Sequence, residues 1–155
     1  MGNYAIPYML EKAIVDDISG SSWVDPLGVT IVDALGADKI VWPAIRVATT
    51  SGTERPENSG NFLCSVSLTV LGTTDPEVGD GYSNARGYHD NICGAVHQYI
   101  TGTLTISGLH SATYDTNDIE IYDVRYSGFS RSIDEGAGAF EDTFDLEIYL
   151  RETTA

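Results

Sequence analysis

Basic residues are scarce in this chain. Against 23 aspartates and glutamates it carries only eight lysines and arginines, which gives a formal net charge of −15. The sequence pI is about 4.2. The eight (Lys12, Lys39, Arg46, Arg55, Arg86, Arg125, Arg131 and Arg151) are scattered, with no cluster. Stable binding to DNA phosphates needs clustered lysine and arginine, so sequence-specific nucleic-acid binding is not expected. An anionic membrane surface repels such a chain for the same reason. Cysteine is almost as scarce. Cys64 and Cys93 are the only two, too few for a disulfide framework. No apolar run approaches the length of a transmembrane helix. The opening MGNYAIPYMLEKAIVDD lacks a basic n-region and carries charge inside its apolar part, so it does not read as a signal peptide. These absences point to a protein made and folded in a cytoplasm. Phosphate-loop glycines, G-x-S-x-G and H-E-x-x-H are missing too.

At 155 residues the chain reads as one domain spanning 1–155, long enough to bury roughly two-thirds of its unfolded surface without a disulfide or metal. Its clearest stretch is Phe62–Leu71, FLCSVSLTVL. Phe62, Cys64, Val66, Leu68 and Val70 share one face, while Ser65, Ser67 and Thr69 share the other, the period of a half-buried strand. Before it, Pro7–Ser19 reads as a helix with Ile6, Leu10, Ile14 and Ile18 on one stripe and Gly20 at its end. Residues 21–38 fit either a short helix at Asp25-Pro26 or a short strand at Val29–Val32. Lys39–Thr49 reads as a strand, at a sheet edge or beginning after Pro43, because proline cannot donate to a ladder. A long polar hairpin loop follows at about 49–60.

The second helix is expected to run to about Thr101, with Ala85, Tyr88, Ile92, Ala95, Val96 and Tyr99 on its apolar face. Gly94 would let that helix lie close to the sheet. Ile119–Tyr126 reads as a strand whose apolar phase switches after Ile121, the mark of a bulge. A second long loop is expected at 127–139. In the final strand Phe140, Phe144, Leu146, Ile148 and Leu150 alternate with polar neighbours. The expected fold is α+β: a mainly antiparallel four-stranded sheet with two helices on one face, in the order α-β-β-α-β-β.

Chemistry-bearing residues are few. His89, Cys93 and His97 follow one another at intervals of four on the second helix, and zinc accepts such ligands. Eight residues rotate the last ligand by roughly 80° from the first, so one ion can hardly reach all three. A Cys93–His97 nucleophile pair fits the spacing but has acidic surroundings and no orienting third group. Acidic loops such as Asp75–Asp80 could hold calcium, but the EF-hand spacing is absent. The reading is therefore a protein without catalysis, metal or cofactor.

Four stretches carry a resemblance. They are the amphipathic first helix; Val41-Trp42-Pro43-Ala44-Ile45-Arg46-Val47 with the 49–60 loop and Phe62–Leu71; the helix around Tyr88–Tyr99; and the hairpin Ile119–Leu150 with its strand Phe140-Glu141-Asp142-Thr143-Phe144-Asp145-Leu146-Glu147-Ile148. In this order they resemble the tail terminator proteins of long-tailed bacteriophages. The resemblance implies a structural virion protein that caps the tail tube as a ring, usually of six copies. Its partners would be other copies of itself, the tail tube protein and the head connector. DNA would be passing cargo only. The loop Thr53, Glu54, Arg55, Pro56 and Glu57 is then the expected contact with the tube or the next subunit. The alternatives are another neck or completion protein of the same topology, and a monomeric domain that binds a small ligand between sheet and helices.

Overall fold

A computed structural model describes residues 5–34, 43–57, 59–73, 85–105, 109, 119–134 and 139–152. Helix α1 spans Ile6–Ser19, the short α2 Val24–Leu27, and α3 Ala85–Gln98. The strands are β1 (Thr30–Asp33), β2 (Ala44–Glu54), β3 (Asn61–Thr73), β4 (Ile119–Asp134) and β5 (Ala139–Glu152). They form one α+β sheet of five strands in the order β1-β2-β3-β5-β4.

This corrects the expected four antiparallel strands. β1 adds a fifth, and it runs parallel to β2, with Thr30 opposite Ala44 and Asp33 opposite Val47. Four residues are too few to show an alternation, and all four are half-buried. The turn that delivers β1 comes from α2, which ends at Gly28 with φ at +65°, where a side chain would be strained. The remaining pairings are antiparallel.

The stretch Phe62–Leu71 lies inside β3, between β2 and β5. Cross-strand register puts Val47, Leu68 and Phe144 in one row and Cys64 beside Ile148, so one sheet face is mainly apolar. α1 supplies Met9, Leu10, Ile14 and Ile18 to that core, and α3 supplies Tyr88, Ile92 and Val96, which places both helices on this face. The other face is small and polar: the Ser67 hydroxyl donates to Asp145 at 2.8 Å, and Thr69 and Thr143 share a 3.2 Å hydrogen bond. α3 passes into a π turn, Tyr99–Thr103, that buries Tyr99 and Ile100. The Tyr99 hydroxyl donates to Asp17 at 2.5 Å and so joins the ends of the two long helices. Burial, then Asp17, push that phenol's pKa up.

Both expected long loops are largely strand. β2 continues through Thr49–Glu54 to pair with β3, leaving 55–60 as the connection. β4 continues through 127–134, and β5 begins at Ala139. These arms alternate small polar residues, so ladder hydrogen bonds and not apolar burial hold them. The expected bulge in β4 is present, between Ile121 and Asp123, with a second between Tyr126 and Gly128. β2 begins after Pro43, and bulges between Thr49 and Ser51. Residues 39–42, the Asp75–Asp80 loop and Ser83, expected to cap the second helix, lie outside the described residues.

Candidate functional site

α1 buries one carboxylate. Glu11 lies on the inner side of the helix, 6% exposed, and accepts the backbone N–H of Thr49 at 2.8 Å and of Ala34 at 3.3 Å. The bulge at Thr49 and the end of β1 thus find their partner in a side chain instead of a ladder. Near this point an apolar pocket of about 410 Å³ opens beside the start of α1. Ile6, Pro7, Phe62 and Cys64 line it, with Thr49–Gly52 of β2.

α3 and β5 enclose the second polar group. His89 and Cys93 stand one helical turn apart and face the sheet, as the four-residue spacing dictates. His97 does not join them; it is exposed and meets the edge of the Tyr126 ring, with centroids 5.8 Å apart. The third member of the cluster is Asp142 of β5. His89 Nε2 lies 3.1 Å from Asp142 Oδ1 and 3.5 Å from Cys93 Sγ. All three side chains are buried. Arg131 of β4 closes the group: its Nε reaches both Asp142 oxygens, at 3.1 and 2.9 Å, and its Nη2 reaches Asp90 at 2.7 Å.

Asp142 is the hub. A carboxylate only accepts, so His89 carries its proton on Nε2 and donates to Asp142. The Cys93 thiol lies within 4.8 Å of this carboxylate. Burial, reinforced by the Asp142 charge, pushes that thiol up to about 12. A thiol so raised is protonated at neutral pH and is no nucleophile. The geometry agrees. A Cys–His–Asp relay uses one ring nitrogen for the thiol and the other for the carboxylate. Here Cys93 and Asp142 both face Nε2, while Nδ1 is buried with no partner among the described residues.

Metal chemistry can be tested on the same distances. The ligand atoms of His89, Cys93 and Asp142 lie within 4.8 Å of one another. Two measured edges, 3.1 and 3.5 Å, approach the ~3.3 and ~3.5 Å edges of a zinc tetrahedron with these ligand types. Two features oppose it. Arg131 occupies both oxygens of Asp142. Freeing Nε2 would also move the proton to Nδ1, which faces Gly72 of β3 and has no acceptor. As built, the cluster is a hydrogen-bonded lock between α3, β4 and β5.

Gly72 makes that lock possible. A Cβ there would stand 2.5 Å from His89 Nδ1, so only glycine admits the ring. This corrects the expectation for Gly94, which is exposed with nothing within 4 Å of an added Cβ. Asp142 escaped the sequence reading although its phase gives it away: it falls in register with Phe140 and Phe144, on the apolar side of β5. Arg131, its direct cross-strand partner on β4, is its counter-charge.

The expected interaction loop is at the far end of the sheet. Thr53 and Glu54 are the last residues of β2, and Arg55–Glu57 form the exposed tip. Glu54 Oε2 accepts the Gly60 N–H at 2.9 Å and folds the turn back. The largest exposed apolar side chains lie elsewhere, on β4. Phe129 is 71% exposed and Tyr122 46%. Phe129 follows the second bulge and packs its ring 6.5 Å from Phe144.

Among the described residues no helix is long and apolar enough to cross a membrane. No family model matches the chain, and no curated protein is significantly similar to it.

Proposed function

We propose that this chain is a structural virion protein, a tail terminator that caps the tail tube of a long-tailed bacteriophage as a ring and joins it to the head connector. One observation carries the reading: a two-layer domain, with α1 and α3 on one face, whose sheet has free edges on both sides among the described residues. β4 ends the sheet along its whole length, and β1 covers β2 only from Ala44 to Val47. A ring subunit needs two different surfaces, one for each neighbour. The resemblance in element order supports the same reading, as does the chemistry. Among the described residues, the one cluster with cysteine and histidine is buried, its thiol protonated and its carboxylate paired. A net charge of −15 per copy would line a central channel with negative charge and let DNA pass without adhering.

Light scattering after gel filtration, with negative-stain images of each peak, tests this. A ring of about six copies with a central hole, seating on purified tail tubes, is the expected result. Copies that neither associate with one another nor bind tubes would remove it. A neck or completion protein of the same topology would form the ring but seat on a different partner. A ligand-binding domain is the second reading, favoured by the 410 Å³ pocket, which is within the range of small-molecule sites. It predicts a monomer whose pocket a small apolar ligand fills.

A further inference from the structure

Phe129, the most exposed large apolar side chain among the described residues, and the apolar pocket lie on the same side of the sheet. Phe129 is opposite Phe144, whose row contains Leu68 and Val47 on the helix-bearing face. The pocket opens on that face too, where Gly52 is opposite Cys64. The two lie on different edges. Phe129 is on β4, and the pocket is on the stretch of β2 beyond the reach of β1. Three strand spacings, about 14 Å, separate these strands. Within one copy they do not meet.

We propose that Phe129 of one copy inserts into the pocket lined by Ile6, Pro7, Gly52, Phe62 and Cys64 of the next. The proposal rests on the ring reading and names its subunit contact. Size fits: a cavity of about 150 Å³ already holds benzene, and this one measures about 410 Å³. Chemistry fits as well. The pocket's lining is mainly apolar, with Ile6, Pro7, Phe62 and Cys64. An exposed aromatic entering a preformed pocket is the anchor type that dominates interface energies.

Symmetry follows from the placement. A knob and a hole on different surfaces make a head-to-tail contact, in which every copy gives one and receives one. Such a contact propagates, and it closes into a ring when the rotation per copy allows. A two-fold dimer would leave it unused or require both contacts at once.

Complementation tests this on the full chain by sedimentation velocity. Phe129→Ala removes the knob and keeps the hole. Gly52→Leu keeps the knob and fills the hole, since a Cβ there already meets Cys64 Sγ at 3.3 Å. Each variant alone should sediment as a monomer, with association at least ~30-fold weaker than in the natural chain. Mixed in equal amounts they should form a one-to-one dimer and nothing larger, because only one productive contact exists between them. If Gly52→Leu loses its cooperative melt, Pro7→Trp, from an exposed residue on the pocket wall, replaces it. If both variants form the same oligomer as the natural chain, the pairing is wrong while the ring reading stands. If the natural chain and the mixture are monomeric at every concentration, with and without tail tubes, both readings fall.

Discussion

Gly72 and Gly94 both lie inside regular elements, and they should respond oppositely to alanine. At Gly72 the new methyl meets His89 Nδ1 at 2.5 Å, and His89 cannot retreat without leaving Asp142. Overpacking of this kind costs about 1–3 kcal/mol. At Gly94 the methyl meets nothing, and alanine in an exposed helix interior gains about 0.5–1 kcal/mol. Urea denaturation of the two variants should therefore move the midpoint in opposite directions; a shared direction would mean that the lock has slack. The buried thiols make a second prediction, about alkali. Burial holds Cys64 at about 11 and Cys93 at about 12, above the ordinary 9.0. The folded state therefore keeps protons that the unfolded chain releases above pH 9. Their contribution is complete below that pH and is lost as pH rises toward 11 and 12. The slope reaches at most about 1.4 kcal/mol per pH unit for each thiol. Stability curves between pH 8 and 10.5 should be shallower for Cys93→Ala than for the natural chain. Equal slopes would assign the alkaline loss to another group, with Tyr99 next in line. Asp142 is the one residue of this network whose position the alternation in Phe140–Leu150 already implies. An aspartate in an apolar phase reads as an interruption until the partners from α3 and β4 are known, and nothing local names them.

Helix α1 holds the start of the sheet through Glu11 more than through a helix cap, since Ala5 offers no side-chain cap. Glu11→Ala would leave the part-buried N–H of Thr49 and the N–H of Ala34 without their acceptor, at a cost of about 1–3 kcal/mol. Glu11→Gln keeps one acceptor oxygen and should lose less. Hydrogen exchange gives the sharper readout: the Thr49 amide should exchange faster in Glu11→Ala, while amides in the middle of β3 keep their ranking. Unchanged protection at Thr49 would show that the ladder alone holds the bulge. Elements with an apolar face were legible from sequence: α1, the buried side of α3, β3, β5, and the phase switch in β4 that became a bulge. Elements held by hydrogen bonds alone were not. β1 was legible only as one alternative, a short strand at Val29–Val32, and its pairing beside Ala44–Val47 is what makes it one. Thr49–Glu54 and 127–134 look like loops because their residues are polar, yet partner strands fix them. Pro43 and its neighbours gave the correct start of β2 for the reason stated, the missing donor. The candidate site divides similarly. The four-residue step from His89 to Cys93 was visible, and so was the rotation that turns His97 away from them; the partner that the sheet supplies, Asp142, was not.

At the scale of the molecule, charge and the Phe129 contact act against each other. Each copy carries −15, so every added neighbour meets a like-charged surface. A chain of this length has a radius of gyration of about 15 Å, which puts neighbouring centres about 30 Å or more apart. The screening length is about 30 Å at 0.01 M salt and about 8 Å at 0.15 M. Repulsion between whole subunits is therefore only partly screened at the lower concentration and mostly removed at the higher. An aromatic ring in an apolar pocket gains nothing from low salt. Association should accordingly strengthen as sodium chloride rises from about 0.01 to about 0.3 M, seen as a shift from monomer to larger species in sedimentation profiles. Phe129→Ala should flatten this response, because it leaves little attraction for screening to reveal. The opposite trend, dissociation by added salt, would require ion pairs across the interface. With eight basic residues per chain, the exposed pairs Arg125–Asp123 and Arg151–Glu120 on the β4 side would be the first to exchange partners between copies. Charge reversal at Arg125 and Arg151 would then weaken assembly in place of Phe129→Ala, and the subunit contact would have to be redrawn along the β4 edge as a polar one.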